Sequence, residues 1–181
     1  GLVLLAAGCS DDSSADPDSR PSTTAASSST TAAGGAGHDH VEVTAVDFSF
    51  EDLPSTIPAG TRLSLRNNAP RELHELVAFH LPADESRPVP ELLLPLAPFP
   101  TAPLGPPSTV LLAPPGGDQI PAVGDGTLTD PGRYLVMCSI PTGVDPAEYL
   151  KAAAAAKGQK PDVNGGPPHF TSGMFAELTV Q

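Results

Sequence analysis

The stretch HFTSGMFAELTV, residues 169–180, begins as a Gly-containing loop and ends as a strand. Its Phe, Leu, Thr and Val residues suit a half-buried pleated surface, and Gly173 suits the turn before it. His169 and Met174 lie five residues apart in that loop, just ahead of the strand. They are either turn filler or two soft donors that need a third.

Other segments carry the same β signature. In VEVTAVDFSF (41–50), Val41, Val43 and Ala45 oppose Glu42 and Thr44, with aromatic residues at Phe48 and Phe50. In AGTRLSLRNN (59–68), Leu63 and Leu65 alternate with Arg62, Ser64 and Arg66, and the run stops at Asn67-Asn68. ELVAFHL (75–81), STVLLA (108–113) and GRYLVMC (132–138) follow, the last after the turn Asp130-Pro131-Gly132. Short strands between Pro/Gly turns, with no interleaved helices, predict an all-β antiparallel sandwich or barrel over residues 41–181.

Two segments interrupt the pattern. Pro82 to Pro115 holds eleven prolines, which a central strand cannot accept. Leu92, Leu93, Leu94, Leu96 and Phe99 make it too apolar for a solvated linker, so it is read as an irregular cover on the sandwich, or else as a docking surface. The second interruption, between Cys138 and His169, contains one short helix. Asp145-Pro146 supplies an N-cap and first-turn proline, AEYLKAAAAAK has high helix propensity, and Gly158 is a natural stop. The spacing predicts a helix from Pro146 to about Lys157, with Lys151, Lys157 and Lys160 turned toward a partner rather than the sheet.

The N-terminal part has another character. GLVLLAAGCS resembles the tail of a signal peptide ending in a bacterial lipobox, residues 1–9, with Cys9 as the lipidated residue and Ala6 in place of the usual leucine. Residues 10–40 then read as a Ser/Thr/Ala/Asp-rich disordered tether, since from Ser10 to Gly37 there is no Val, Ile, Leu, Met or aromatic residue to bury. This predicts a globular head held outside the cytoplasmic membrane by lipid. A formal charge of −12 argues against nucleic acid and suits a basic protein partner.

The chain has two cysteines, and with Cys9 lipidated Cys138 has no disulfide partner. A lone thiol in an oxidising compartment is buried or used. Two imidazoles, a thiolate and a weak axial methionine make the donor set of copper electron-transfer sites. Cys138 at a strand end, His169 and Met174 supply three members, and His74, which follows the turn RNNAPREL, can reach the same end of a sandwich. His80 ends its strand far from His74, and Met137 points to the opposite face from Cys138, so neither competes well. His38 and His40 form a His-x-His pair that reads as a linker end, with weak accessory copper capture as the alternative. Zinc on Cys138, His74 and His169 would leave Met174 without a role.

At these residues the chain resembles the cupredoxin family of plastocyanin-like blue copper domains. HFTSGMFAELTV keeps the family's H-x4-M spacing, PGRYLVMCS looks like its cysteine strand, and NNAPRELHELVAF looks like its first-histidine turn. LPSTIPAGTRLSLRNN also resembles its early strands. The resemblance covers residues 41–181. It implies a Greek-key sandwich, one type 1 copper held by His74, Cys138, His169 and Met174, and a non-enzymatic electron carrier serving a redox protein partner. A copper storage, transfer or sensing module with the same ligands is the alternative, as is a metal-free interaction domain. One departure stands out: the family places two to four residues between the cysteine and second histidine, and here Ser139–Pro168 places thirty. Closing the longer loop costs about 2–3 kcal/mol, which does not forbid the site.

Overall fold

The computed structural model describes residues 39–93, 104–156 and 159–181. Two sheets face each other. One has the strand order β2 (Ser49–Glu51), β1 (His40–Val46), β4 (Thr61–Asn67), β8 (Thr127–Leu128). The other runs β3 (Thr56–Ile57), β10 (Phe175–Val180), β9 (Gly132–Met137), β5 (His74–His80), β6 (Thr109–Ala113), β7 (Ile120–Val123). The sandwich is the expected one, but its sheets are mixed rather than wholly antiparallel. β1 pairs parallel with β4, and β10 parallel with β3.

Alternation sorts the layers. Val43, Ala45, Leu63 and Leu65 from the first sheet meet Leu76, Ala78, Leu111, Val136, Cys138, Leu178 and Val180 from the second in one buried core. The residues between them on β5 and β9 face the other way. Val77, Phe79, Leu135 and Met137 form a second apolar layer with Leu81, Phe170 and α1 (Val89–Leu93). The described part of the proline-rich segment is therefore a cover on the outer face of the six-stranded sheet, and it includes a short helix the sequence did not announce. Arg133 fastens it: its guanidinium donates to the Glu85 and Arg87 carbonyls at 2.6 and 3.0 Å while pairing with Glu177 at 2.8 Å. Leu94, Leu96 and Phe99 lie outside the described residues.

The segment read as one alternating run, 41–50, is a hairpin. Val46 pairs with Ser49, leaving Asp47 and Phe48 as a two-residue turn. Phe48 takes φ 61°, a left-handed conformation that costs a bulky L-residue about 1–2 kcal/mol. His40 is no linker end either; it opens β1 and its Nε2 lies 2.8 Å from Ser64 Oγ. His38 lies outside the described residues, as do the lipobox and nearly all of the tether.

Helix α2 spans Pro146–Ala155, with the Asp145 carboxylate accepting the Glu148 N–H at 2.9 Å; Lys157 lies outside the described residues. The expectation that this insertion turns away from the sheet is corrected. Tyr149 is 3% exposed and, with Val144, belongs to the main buried cluster, while Leu150, Ala153 and Val163 pack against it. The apolar residues of the helix are few, but Tyr149 is large enough to seat it. Tyr149→Ala should therefore lower the unfolding free energy by about 3 kcal/mol in a denaturant titration, as deletion of a buried aromatic ring does; a change below about 1 kcal/mol would show that α2 only rests on the surface.

Candidate metal centre

Topology brings one end of the six-stranded sheet together. β5 and β10 both run antiparallel to β9, so the start of each lies beside the end of β9. His74 is the first residue of β5, Cys138 follows the last residue of β9, and Met174 precedes β10. Their positions on strand ends, rather than on free loops, fix their Cα atoms through the sheet ladder.

The turn that delivers His74 is pinned by one side chain. Asn67, buried at the end of β4, donates through Nδ2 to the carbonyls of Glu72 and Ala113, both at 2.8 Å, and accepts the Ala69 N–H at 2.8 Å. Ala113 is the strand partner of His74, so the amide ties the two sheets together beside the histidine. His169 opens a 3-10 turn, His169–Ser172, closed by Gly173 at φ 106°. That left-handed residue lets the chain reverse within five positions, so that the Met174 N–H points back at the His169 carbonyl at 3.3 Å. This is the physical content of the His–Met spacing.

The long insertion closes at its neck. The His169 N–H donates to the Ile140 carbonyl (3.0 Å), the Phe170 N–H to the Cys138 carbonyl (2.9 Å), the Thr142 N–H to the Pro167 carbonyl (3.1 Å), and the Gly166 N–H to the Thr142 carbonyl (2.8 Å). The residues beyond form an appendage to a short zipper. Cys138 and His169 meet as if the loop were short.

His74, Cys138 and His169 converge, each fully buried. The edges are 3.9 Å from Cys138 Sγ to His74 Nδ1, 3.3 Å from Cys138 Sγ to His169 Nδ1, and 3.2 Å between the two Nδ1 atoms. A circle through three atoms with those separations has a radius of about 2.0 Å, close to metal–imidazole and metal–thiolate bond lengths. One proton can bridge only one edge of such a triangle, whereas one cation satisfies all three corners. Among the described residues no other group of His, Cys, Asp and Glu is arranged to hold a metal. Met174, fully buried in the same core as Cys138, is joined to it by the Cys138 N–H donating to the Met174 carbonyl at 3.1 Å. His80 is exposed at the far end of β5, with Nε2 3.3 Å from the Pro131 carbonyl, and Met137 lies in the outer apolar layer.

Burial sets the protonation states. It pulls His74 down to about 4, helped by the neighbouring His169. It also lowers His169, against the opposing pull of the Glu72 carboxylate. Desolvation, and then the Glu75 charge, push the Cys138 thiol well up. Both imidazoles are thus neutral and ready to donate a lone pair, and only the thiol holds a proton to lose.

Three surrounding residues were not singled out by the sequence. Glu75 is buried: its backbone N–H donates to Cys138 Sγ at 3.4 Å and its carboxylate accepts the Ser139 N–H at 3.0 Å and the Ser139 hydroxyl. Burial raises its carboxyl, while Ser139, the Lys160 charge and the Tyr149 hydroxyl pull it back. Glu72 places Oε2 3.3 Å from His169 Nε2, within reach of its charge but out of line for a hydrogen bond, and the same Oε2 accepts the Gly143 N–H at 3.1 Å. Phe48 meets the His169 ring edge-on, with centroids 5.1 Å apart and planes at 81°. Glu72 and Glu75 could have been suspected from their places beside His74; nothing in the sequence marked Phe48. A separate cleft of about 790 Å³ opens on the sheet's other face between α2 and β6–β7, with Glu75 and Ser139 in its lining, but none of His74, Cys138, His169 or Met174 lines it.

No family model matches the chain, and no curated protein matches it. Among solved structures it is similar to dithionite-reduced auracyanin from the photosynthetic bacterium Roseiflexus castenholzii, at 16% identity over 80% of this chain and 99% of that one, with a TM-score of 0.45. It is also similar to auracyanin A, described as a "blue" copper protein of Chloroflexus aurantiacus, at 16% identity over 80% of this chain and all of that one, with a TM-score of 0.44. Auracyanin B gives 20% identity over 79% and 88% of the two chains, with a TM-score of 0.39. Likeness at this level assigns no function by itself; the donor geometry does the discriminating.

Since both histidines are already neutral, each metal ion bound near pH 7 should displace one proton, that of Cys138. Affinity measured by chelator competition should rise about tenfold per pH unit between about pH 6 and 8. The dependence should steepen on acidification as His74 begins to take up a proton near its lowered value of about 4. An affinity flat in pH would mean that the thiol is not a ligand.

Proposed function

We propose that this chain is a type 1 copper protein of the cupredoxin kind that carries single electrons outside the cytoplasmic membrane. One observation carries the proposal: a buried triangle of two imidazole Nδ1 atoms and one thiol sulfur, with a buried methionine joined to the cysteine through the backbone. Zinc prefers four nitrogen, sulfur or oxygen donors in a tetrahedron. Here the Glu72 carboxylate lies at Nε2, the side of the His169 ring away from the triangle. A three-donor plane with methionine as the remaining soft atom suits copper.

His74, His169 and Cys138 would hold the ion, with Met174 as the remaining soft donor. Copper bound there would supply one-electron transfer. The chain's own contribution is rigidity. The Glu75 N–H donates to the sulfur in place of water, Asn67 holds the turn before His74, and the backbone zipper holds His169, so the donors need little rearrangement between the two states. The protein would serve as a carrier rather than a catalyst, because donors closed from solvent leave no position for a substrate. Its acidity suits a basic redox partner.

Copper added to the metal-free protein should bind one to one and give an intense thiolate-to-copper absorption band. Cys138→Ser should abolish that band and leave the sandwich folded by circular dichroism. Met174→Leu should keep the colour and raise the reduction potential. Stoichiometric binding with an unaltered spectrum in Cys138→Ser would sink the assignment, and loss of all copper in Met174→Leu would give that residue a stronger role.

The motif Ala-Ala-Gly-Cys supports attachment through lipid at Cys9. No helix among the described residues is long and apolar enough to cross a membrane. In the full precursor, Cys9→Ser should shift the protein from the membrane fraction to the soluble extracytoplasmic fraction or leave it unprocessed; processed protein still retained in membranes would point to another anchor.

A further inference from the structure

We propose that Phe48 is the cap of the metal centre, a positioning residue whose ring closes the outer edge of His169 against water. The inference rests on the copper reading and deepens it. Three observations meet at this residue. Its ring is half-buried and stands edge-on to His169 at 5.1 Å, the tightest aromatic contact His169 has apart from its fellow donor His74. His169 itself is fully buried, although it follows the neck of a long surface insertion and precedes exposed residues Thr171 and Ser172. Finally, Phe48 holds φ 61° at the second position of a two-residue turn, where Gly or Asn would sit without strain.

A turn chosen for its own stability would not place phenylalanine there. Strain kept at one residue is explained when the surroundings use the side chain. Here the use is dryness: an apolar ring over the imidazole keeps water from the donors, and the dielectric around a metal centre sets its potential. The sign follows from charge. Water favours the more highly charged oxidised state, so an opened site holds Cu(II) better and its reduction potential falls.

The charged groups around His169 are Asp47, in the same turn as Phe48, and Glu72 at its Nε2, both felt by that imidazole as negative charge.

The test uses the full chain and the variants Phe48→Gly, Phe48→Asn and Phe48→Tyr. Gly and Asn accept the turn conformation and remove the ring, whereas Tyr keeps it. In metal-free protein, alkylation of Cys138 by iodoacetamide, read by peptide mass, should be severalfold faster in Phe48→Gly and Phe48→Asn and near wild type in Phe48→Tyr. Denaturant stability of Phe48→Gly should hold or rise, separating a cap from a fold-stabilising side chain. In copper-loaded protein, relaxation of solvent water protons should increase severalfold and the potential should shift downward in the same two variants, with the thiolate band retained. Alkylation and water relaxation unchanged in both would overturn the cap. Failure of the wild type to bind copper would sink the copper reading alone, since alkylation of the metal-free protein still decides whether Phe48 shields the cysteine.

Discussion

Cys138 is where three separate segments are joined. Its N–H donates to the Met174 carbonyl, its carbonyl accepts the Phe170 N–H, and its sulfur accepts the Glu75 N–H. These are backbone groups at the end of a central strand, buried away from water, where leaving any of them unpaired costs on the order of 1–3 kcal/mol. The same bonds that satisfy the strand end therefore fix the distances among His74, His169 and the thiol. Site geometry here is a by-product of saturating a sheet terminus, which is why it persists across an interruption of thirty residues.

That interruption shows how a long insertion is made harmless. Its neck, from Ile140 and Thr142 to Gly166 and His169, is hydrogen bonded like a short hairpin. The body beyond is held by a different device, the burial of Tyr149, whose hydroxyl faces the Glu75 carboxylate that also grips Ser139. Helix α2 thus touches Glu75, the residue next to His74, without contributing a donor itself. Its alanines gave a secure helix and said nothing of where it would lie; one large ring decided that.

Dryness is the second theme. The two imidazoles, the thiol and the methionine lie in the core alongside Leu and Val side chains, and Glu75 is buried behind them with hydrogen bonds for its carboxylate. Burial makes every donor neutral, so the centre carries no charge to be desolvated until an ion brings its own. A soft, neutral, closed donor set is suited to holding one ion in two oxidation states with little movement of the protein around it.

Much of this was legible in the sequence, for definite reasons. Period-two alternation in 59–68 and the apolar runs 75–81 and 132–138 identified strands because one or both faces of a sheet must be buried. That His74, Cys138 and His169 would meet was readable because soft-metal chemistry restricts which side chains can serve together. What the chain could not show locally was decided by contacts between distant segments. The parallel pairing of β1 with β4, neighbours in one sheet whose connection passes through β3 of the other, is not written in either strand's pattern. The run 41–50 alternated well enough to pass for one strand, and only the pairing of Val46 with Ser49 broke it into a hairpin with Phe48 at its turn. Three lysines beside an alanine-rich helix suggested an exposed face, and Lys151 and Lys160 are exposed, but the packing of Tyr149 on the opposite side, which seats the helix on the sheet, was decided only by the tertiary structure. Composition and periodicity report what each segment prefers; which neighbour satisfies that preference is settled only when the sheets close and water is excluded between them.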